Sequence, residues 1–417
     1  MNATKSSRAA KTLAAIAIAG ASALVMAGCG STPQNTPTGG SEKPAVDLTL
    51  KVGSLLPETG SLAFLGAPME AGVQLAVEAV NEAKAGVTID LVSADEGDLD
   101  NKAYETSIAR LQSEGVSAVL GAASSSVSKL ILDGNVSAGI VMVSPSNTSA
   151  EFTGIDPLYF RTAPSDSLQG EVLGNEIAED QHKTLGIIWQ NDPYGQGLFE
   201  AIRDTFVSTG GKVVADASYN QGDATFDAQV QKIAAAKPDA VAVVSYDQFA
   251  TIAPLLGNAG IDTGSLYLVD GNLKDWGSKL PVDLEGSKGT RAGAELPKDF
   301  IDQLNKVWTA AGHDPIDAVT YSAEAYDAII LLALASLKAG SVEGADIAAQ
   351  MREVSGGTGD GQKCTSFKEC AGIINSGSVA DYDGYSGEIT FDENNDPKGA
   401  AIGVYQFDAK NMTTRIK

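Results

Sequence analysis

Two runs of small hydroxyl side chains in this sequence have the chemistry to bind an anion. Residues 121–126 read Gly-Ala-Ala-Ser-Ser-Ser after a short apolar run, and residues 144–148 read Ser-Pro-Ser-Asn-Thr after the next one. Hydroxyls and the backbone N–H groups at a helix start bind a carboxylate, and the helix dipole adds roughly 0.3 to 1 kcal/mol. The pattern predicts a carboxylate site, although simple capping of the following helix explains the first run equally well.

Acidic side chains follow two later apolar runs. Residues 245–247 read Ser-Tyr-Asp, and residues 269–271 read Val-Asp-Gly. Ligands of open parallel sheets bind at the carboxyl ends of the strands, where a carboxylate such as Asp270 can bind an ammonium group. The alternative is that Asp270 only forms a turn with the glycine that follows it.

Motifs for catalysis and for metal or cofactor binding are missing or incomplete. The two histidines, His182 and His313, stand in polar stretches, and there is no Gly-x-Ser-x-Gly elbow, Walker loop or His-Glu-x-x-His motif. A Ser-x-x-Lys match at 126–129 lacks its partner motifs, and the acidic run 392–396 lacks the glycine and glutamate of a calcium loop. We expect a binding protein without cofactor or metal, with an enzyme as the less favoured alternative.

The composition predicts a globular protein that does not bind nucleic acid. The 417 residues include 29 Lys and Arg against 53 Asp and Glu, which gives a formal net charge of −24. Phosphate backbones repel such a surface. The length predicts two or three lobes.

Short apolar runs alternate with longer amphipathic ones from residue 48 onward. The predicted strands of two successive series are 48–55, 88–93, 118–121 and 139–143, then 184–190, 212–219, 240–245 and 265–269. The predicted helices are 66–84, 101–114 and one after residue 126, then 196–209, 227–236 and 249–259. Repeated strand–helix units predict parallel sheets covered by helices, here as two α/β lobes.

The remaining residues are expected to complete these lobes and not to form a third domain. Helices are predicted at 299–311, 318–339 and 344–354, and strands at 387–391 and 401–407. The first lobe is expected to comprise 47–165 and about 291–386, and the second 166–290 and about 387–417. Several chain crossovers between the lobes would form a hinge.

The amino terminus has the pattern of an export signal. Residues 1–28 combine three basic residues with a short apolar run, and Val-Met-Ala-Gly before Cys29 resembles the lipobox of bacterial lipoproteins, in which the cysteine is acylated. An ordinary secretory signal with an incidental cysteine is the alternative. Residues 29–46, rich in Gly, Ser, Thr and Pro, are predicted to be a flexible tether.

Cys364 and Cys370 are the other two cysteines, separated by five residues in a glycine-rich stretch. Outside the cytoplasm such a pair favours a local disulfide. Metal binding is the weaker alternative, because no histidine or third cysteine lies nearby.

Several segments, taken in order, carry a family likeness over nearly all of the chain after the tether. They include 53–60 (Gly-Ser-Leu-Leu-Pro-Glu-Thr-Gly), 139–145 (Gly-Ile-Val-Met-Val-Ser-Pro), 161–166 (Arg-Thr-Ala-Pro-Ser-Asp), 191–197 (Asn-Asp-Pro-Tyr-Gly-Gln-Gly) and 387–392 (Gly-Glu-Ile-Thr-Phe-Asp). Together they resemble the leucine/isoleucine/valine-type solute-binding proteins of ABC importers. The resemblance implies the type I periplasmic-binding-protein fold, an α/β fold with two doubly wound parallel-sheet lobes joined by a multi-crossover hinge.

The resemblance also implies the ligand-binding residues. Those matching the family's carboxylate-binding positions are Ser125, Ser146 and Thr148, and those matching its ammonium-binding positions are Tyr246 and Asp270. The remaining matches are Tyr194, which would line the cleft, and Leu65, which with adjacent Phe64 replaces an aromatic residue over the ligand. Ser124 replaces a family cysteine, so the family's early disulfide is absent.

These observations lead us to expect a monomeric, lipid-anchored receptor on the extracytoplasmic face of the cell membrane. It would capture a small amino acid, aliphatic or branched-chain, and deliver it to an ABC permease. The alternatives are a same-fold protein that binds urea, a short amide or another small carboxylate, and a sensory ligand-binding protein.

Overall fold

The computed structural model describes residues 47–316 and 318–417, so the signal segment, Cys29 and the tether lie outside the described residues. The strands are β1 (Leu48–Leu56), β2 (Val87–Asp95), β3 (Ala118–Gly121), β4 (Val141–Ser144), β5 (Tyr159–Arg161), β6 (Thr184–Gln190), β7 (Lys212–Tyr219), β8 (Ala240–Val244), β9 (Leu266–Leu268), β10 (Lys288–Ala292), β11 (Gln362–Cys364), β12 (Ala380–Tyr382), β13 (Ile402–Phe407) and β14 (Thr413–Arg415). The helices are α1 (Ala63–Ala83), α2 (Ala103–Ser113), α3 (Ser125–Ser137), α4 (Asp166–Glu179), α5 (Pro193–Ser208), α6 (Asp227–Ala236), α7 (Phe249–Asn258), α8 (Lys298–Ala310), α9 (Ser322–Ala339), α10 (Gly344–Val354) and α11 (Phe367–Asn375).

Two doubly wound sheets with matching strand orders form the framework. The first sheet has the order β2-β1-β3-β4-β5, and all its pairs are parallel. The second has the order β14-β13-β10-β9-β8-β6-β7, in which β6 to β10 repeat the arrangement of β1 to β5 and β13 and β14 add antiparallel strands. The structure confirms the predicted α/β class. In such sheets the ligand crevice lies at the carboxyl ends of the strands, where the strand order reverses.

Three connections join the two sheets. The chain leaves the first sheet after β5, returns to the helices around it after β10, and reaches the second sheet again before β13. The segments concerned are 162–165, 293–297 and 398–401. They lie side by side, because Thr162, Gly293 and Ala401 line one small pocket.

The segment around residue 390 differs from the prediction. No strand forms at 387–391, where the structure has isolated bridges between Gly384 and Gly387 and between Phe391 and Pro397. The segment also contacts the first sheet, since the Phe391 ring lies 5.3 Å from the Phe160 ring of β5. Phe391 and Asp396 thus pack against the first sheet, and the chain reaches the second sheet only at β13.

Helix α9 is the central helix of the core beside the first sheet. Residues 322–336 are all buried, so this helix is apolar on most of its circumference, which is typical of a core helix. Within the described residues no single helix has the length and apolarity of a membrane span, and the bent pair α9 and α10 meets that criterion only when both are taken together.

A disulfide joins Cys364 of β11 to Cys370 of α11. Their Cα atoms are 5.4 Å apart, and both side chains are buried. The bridge connects the short β11–β12 pair to a helix that the sequence did not predict. It thus stabilises the packing of α11 against the β11–β12 pair.

A buried ion pair attaches residues 391–396 to the edge of the first sheet. Arg161 of β5 is fully buried, and its Nε and Nη2 donate to the Asp396 carboxylate at 2.6 Å each. Nη1 donates to the Ser149 carbonyl at 2.7 Å. A bidentate guanidinium–carboxylate pair is strong in this setting, because few water molecules compete for its hydrogen bonds.

Asp396→Ala should lower the free energy of unfolding by about 3 to 5 kcal/mol, because it leaves the buried Arg161 charge without its partner. Denaturant titration followed by circular dichroism measures this loss. Asp302→Ala removes an exposed pair with Lys298 and should cost at most about 1 kcal/mol. Equal losses for the two variants would contradict the structural role assigned to Asp396.

Candidate functional site

A small cavity lies between the carboxyl ends of the two sheets. It contains about 260 Å³ of space not filled by protein atoms. Its walls are formed by Leu62, Leu65, Ala123, Ser125, Ser146, Tyr194, Tyr246, Asp270, Gly271 and Tyr321. Only about 10 Å³ of this space can hold the centre of a water-sized sphere, so the walls lie close together.

Every wall residue except Tyr321, which directly precedes α9, comes from a segment that follows a strand. Ser125 begins α3 just after β3, and Ser146 follows β4, while Tyr246 and Asp270 follow β8 and β9 of the second sheet. Because parallel strands end at one edge, these short loops converge on the same cavity. Six of the eight predicted ligand-binding residues line it, whereas Thr148 and Phe64 do not.

Asp270 is the most densely hydrogen-bonded group of the cavity. Its Oδ1 accepts from the Tyr194 hydroxyl at 2.8 Å and the Gln169 amide at 2.9 Å, and its Oδ2 accepts from the Tyr321 hydroxyl at 2.6 Å. The residue is only 4% exposed. Burial raises the pKa of both phenols far above the ordinary value, so all three donors are neutral. The negative charge is hydrogen-bonded by these donors but not cancelled by them.

Asp166, at the first turn of α4, is a second buried carboxyl group that sequence reasoning missed. It is fully buried, and neither carboxylate oxygen has a hydrogen-bond partner among the described residues. Burial and the nearby charge of Asp270 raise the pKa of Asp166 well above its usual range. It closes the Arg-Thr-Ala-Pro-Ser-Asp segment, but from sequence alone it reads as an ordinary acidic residue at a helix start.

Thr148 lies beside Asp166. The Asp166 backbone N–H donates to the Thr148 carbonyl at 2.7 Å, and the Thr148 hydroxyl is buried without a hydrogen-bond partner in the described part of the chain. Buried polar atoms are nearly always hydrogen-bonded, so two unpaired neighbours indicate a place for a ligand donor.

The serine run differs in part from the expectation. The backbone N–H groups of Ala123 and Ser124 donate to the buried Glu96 carboxyl at 2.6 and 2.7 Å, so a protein side chain already accepts from them. Burial raises the pKa of Glu96 to about 8. The Ser125 hydroxyl donates to Asn147 Oδ1 at 2.7 Å and faces the cavity. Of the hydroxyl groups in this run that were predicted to bind an anion, the Ser125 hydroxyl is the one that lines the cavity.

Aromatic rings close the second side of the cavity. Tyr194 and Tyr246 stack with their ring centroids 5.1 Å apart. Gly271 permits this packing, because a Cβ there would lie 2.8 Å from the Tyr194 hydroxyl and 2.9 Å from the Ser245 carbonyl oxygen. Tyr321, which the sequence analysis did not identify, is held in a left-handed backbone conformation with φ of 60°.

The rim of the cavity is bridged directly. The Ser126 hydroxyl donates to Asp192 at 2.9 Å, and the Ser149 hydroxyl donates to the Pro193 carbonyl at 3.0 Å. Phe64 lies at this rim and not in the cavity wall, and the Lys274 ammonium group is 4.0 Å from its ring centroid. These contacts join the first sheet's surroundings to the second sheet's, so the structure represents a closed arrangement.

Comparisons with known proteins agree with this geometry. Residues 49–401 match the family model described as periplasmic binding protein. The leucine-, isoleucine-, valine-, threonine-, and alanine-binding protein of Pseudomonas aeruginosa is 26% identical over 385 residues, which cover 88% of this chain and 92% of the relative. The match thus extends over most of both chains.

Two solved structures show the fold. The leucine-binding protein LivK of Thermotoga maritima has a TM-score of 0.71 at 22% identity and covers 88% of this chain and 98% of its own. The branched-chain amino acid transporter substrate-binding protein LivJ of Streptococcus pneumoniae, in complex with isoleucine, has a TM-score of 0.67 at 22% identity and covers 88% and 100%. They confirm the expected type I periplasmic-binding-protein fold.

Asp166→Asn should change how the stability of the ligand-free protein depends on pH. The folded state raises the Asp166 pKa, so between about pH 4 and the folded pKa the native protein holds a proton that the unfolded chain has released. This contribution to the free energy of unfolding is present at low pH and is lost as pH rises through that window. The variant should therefore gain stability relative to wild type as the pH rises above about 4.

Denaturant titrations of both proteins at several pH values measure this difference. Asp133→Asn, at an exposed position of α3, is the control and should follow the wild-type curve. A difference between Asp166→Asn and wild type that stays constant with pH would contradict the buried, proton-binding role.

Proposed function

Because this chain belongs to the periplasmic binding protein family, among the branched-chain amino-acid-binding proteins, we propose that it captures a small aliphatic amino acid and delivers it to an ABC permease. The supporting observation is that the buried Asp270 carboxylate and the hydroxyl groups of Ser125 and Ser146 line one cavity, with the buried Asp166 close to Asp270. An amino acid carries both charges that such a cavity requires. The family consists of extracytoplasmic solute-binding proteins, and the relatives described above are binding proteins.

In this proposal the cationic end of the ligand binds at the acidic wall. The ammonium group donates to the Asp270 carboxylate, and the buried carboxyl group of Asp166 lies close to that carboxylate. The Tyr246 ring packs beside the ammonium group in this proposal. An ammonium ion has three donors, so one group can satisfy several of these acceptors.

The carboxylate end of the ligand binds at the start of α3. Ser125 and Ser146 line the cavity on that side, and the helix N-terminus favours a negative charge. Glu96 occupies neighbouring N–H groups, and with a pKa of about 8 it is mostly protonated at neutral pH, so it repels the ligand carboxylate only weakly. The two charged ends thus meet opposite sides of one cleft.

The space left for a side chain is small and apolar. Leu62, Leu65 and Ala123 line it together with the ring of Tyr321. These groups give a side chain apolar contacts, and a polar side chain would lose its hydration without a replacement hydrogen bond. This favours an aliphatic amino acid, branched or short.

Capture requires that the two sides of the cleft move. We assign 47–161 and 298–397 to the first lobe, and 166–292 with 402–417 to the second, connected by the three crossovers. Contacts such as Ser126 to Asp192 form only when the lobes meet. The permease would then distinguish a closed, liganded receptor from an open one.

The same proposal includes a lipid anchor and no catalytic activity. Acylation of Cys29 would fix the receptor to the outer face of the membrane, with residues 29–46 as a tether long enough for the lobes to reach a permease. A single receptor domain acts as a monomer in this scheme.

Isothermal titration with leucine, isoleucine, valine, alanine and threonine tests the ligand proposal. At least one should bind the wild-type protein, and Asp270→Asn should weaken it by about 2 to 5 kcal/mol, or at least about thirtyfold, because the buried ammonium loses its charged partner. Asp133→Asn, exposed on α3, is the matched control and should bind like wild type.

The outcome distinguishes the alternatives. If no amino acid binds while urea, a short amide or a small carboxylate does, the amino-acid proposal is wrong. Unchanged affinity of Asp270→Asn would favour a ligand without a cationic group and would make Asp270 a turn residue.

Cys29→Ala should release the protein from the membrane without changing ligand affinity, because the described fold begins only near residue 48. Cell fractionation with carbonate washing, followed by titration of the released protein, measures both. A Cys29→Ala protein that stays with the washed membranes would contradict acylation at this residue.

A further inference from the structure

A second cavity lies behind the amino-acid cavity, at the hinge. We call it the hinge pocket; about 720 Å³ of it is free of protein atoms, including space that is open to solvent. It is lined by Arg291, Ala292, Gly293, Ala294, Glu295, Leu296, Ile301, Val319, Thr320, Tyr321, Glu324, Tyr405 and Arg415. Only Tyr321 lines both cavities, which places one aromatic ring between them.

Arg291 is the principal charge of the hinge pocket. Its guanidinium carbon lies 4.3 Å from the centroid of the Tyr405 ring, and this stacking holds the planar group against one wall. Among the described residues it has no ion-pair partner within salt-bridge distance. The guanidinium group is stacked and half-buried, and its N–H donors have no acceptor among the described residues. Arginine side chains held in this way bind carboxylates in recognition sites.

Arg415 supplies a second guanidinium group on the same side. Its Nε donates to the main-chain oxygen of Lys417 at 2.8 Å, and its Nη1 donates to the Gly293 carbonyl at 3.3 Å. These bonds fix the plane of the group at the pocket wall. They use only part of its donors, because a guanidinium carries an N–H group on each nitrogen.

The acidic residues of the pocket do little to cancel these charges. Glu295 is exposed, so water screens its carboxylate. Glu324 is buried, and burial raises its pKa to about 8, so the group is mostly protonated at neutral pH. In a chain of net charge −24, a cavity with two guanidinium groups and one screened acid is an exception.

We propose that the hinge pocket binds a short organic dicarboxylate, of the size of succinate, with one carboxylate directed to Arg291 and the other to Arg415. The carbon chain would lie against the apolar side chains of Leu296, Ile301 and Val319. The amino-acid cavity is a poor site for such a ligand, because the Asp270 carboxylate repels a second negative charge there.

A ligand in this pocket would affect the hinge, since its walls come from both sides of it. Arg291, Tyr405 and Arg415 belong to strands of the second sheet, while Ile301 and Glu324 belong to α8 and α9, which pack on α1 beside the first sheet. Tyr321 extends from this wall to Asp270. Binding in one cavity is therefore coupled to binding in the other, and the coupling is reciprocal.

Titration calorimetry of the full-length protein with sodium succinate tests the proposal. Wild type should bind succinate, and Arg291→Gln should weaken it at least about tenfold, since a charge-assisted bidentate contact is lost. Arg291→Lys, which keeps the charge without the planar fork, should bind with intermediate affinity. The control Arg203→Gln removes a charge from the exposed face of α5 and should bind like wild type.

A further variant decides where succinate binds. Arg415→Gln should weaken succinate binding as Arg291→Gln does, whereas succinate bound in the amino-acid cavity would not depend on either arginine. Circular dichroism spectra and melting curves of the Arg291 and Arg415 variants verify folding. The proposal is overturned if wild type does not bind succinate at millimolar concentration, or if Arg291→Gln or Arg415→Gln binds it like wild type.

Discussion

Burying negative charge without a positive partner is the constraint on which the closed arrangement of this protein depends. Three neutral donors hydrogen-bond the Asp270 carboxylate, whereas the raised pKa of Asp166 favours its protonated, uncharged form. Both solutions are incomplete, since a buried carboxylate is stabilised fully only by a cation or by a complete set of hydrogen bonds. In the proposed function, the ammonium group of the ligand supplies what is missing. The energetic cost of the buried charge and the proposed affinity for a zwitterion thus have the same origin.

The repeated strand order delivers the groups that create this arrangement. Because β6 to β10 follow the same order as β1 to β5, the reversal point of each sheet lies at the cleft, with short loops at both edges. Those loops bring hydroxyl groups from one side and an acid with tyrosines from the other. Close approach needs Gly271, since any side chain there would collide with Tyr194. The chemistry of the cleft is therefore a consequence of topology as much as of composition.

Local patterns in the sequence predict much of this fold and part of the site. The strand at 118–121 and the helix at 227–236 match β3 and α6 residue for residue, since their periodicity reports local burial. Helix α4 escaped prediction because Gly170 and Gly174 weaken its helical signal, and these glycines are needed for close packing on α5. Asp166 and Tyr321 gain their roles from distant chain segments, as does the placement of residues 387–397. No local pattern contains that information.

The ion pair between Arg161 and Asp396 has a consequence for how the protein is made. Its partners are separated by 235 positions in the chain, so the edge of the first sheet lacks its final contacts until the ribosome has synthesised nearly the whole polypeptide. A nascent chain of this kind stays incompletely folded while it grows, because long-range contacts form late. In the export that the amino-terminal sequence pattern predicts, this delay would keep the edge of the first sheet incomplete until the last residues of the chain are exported.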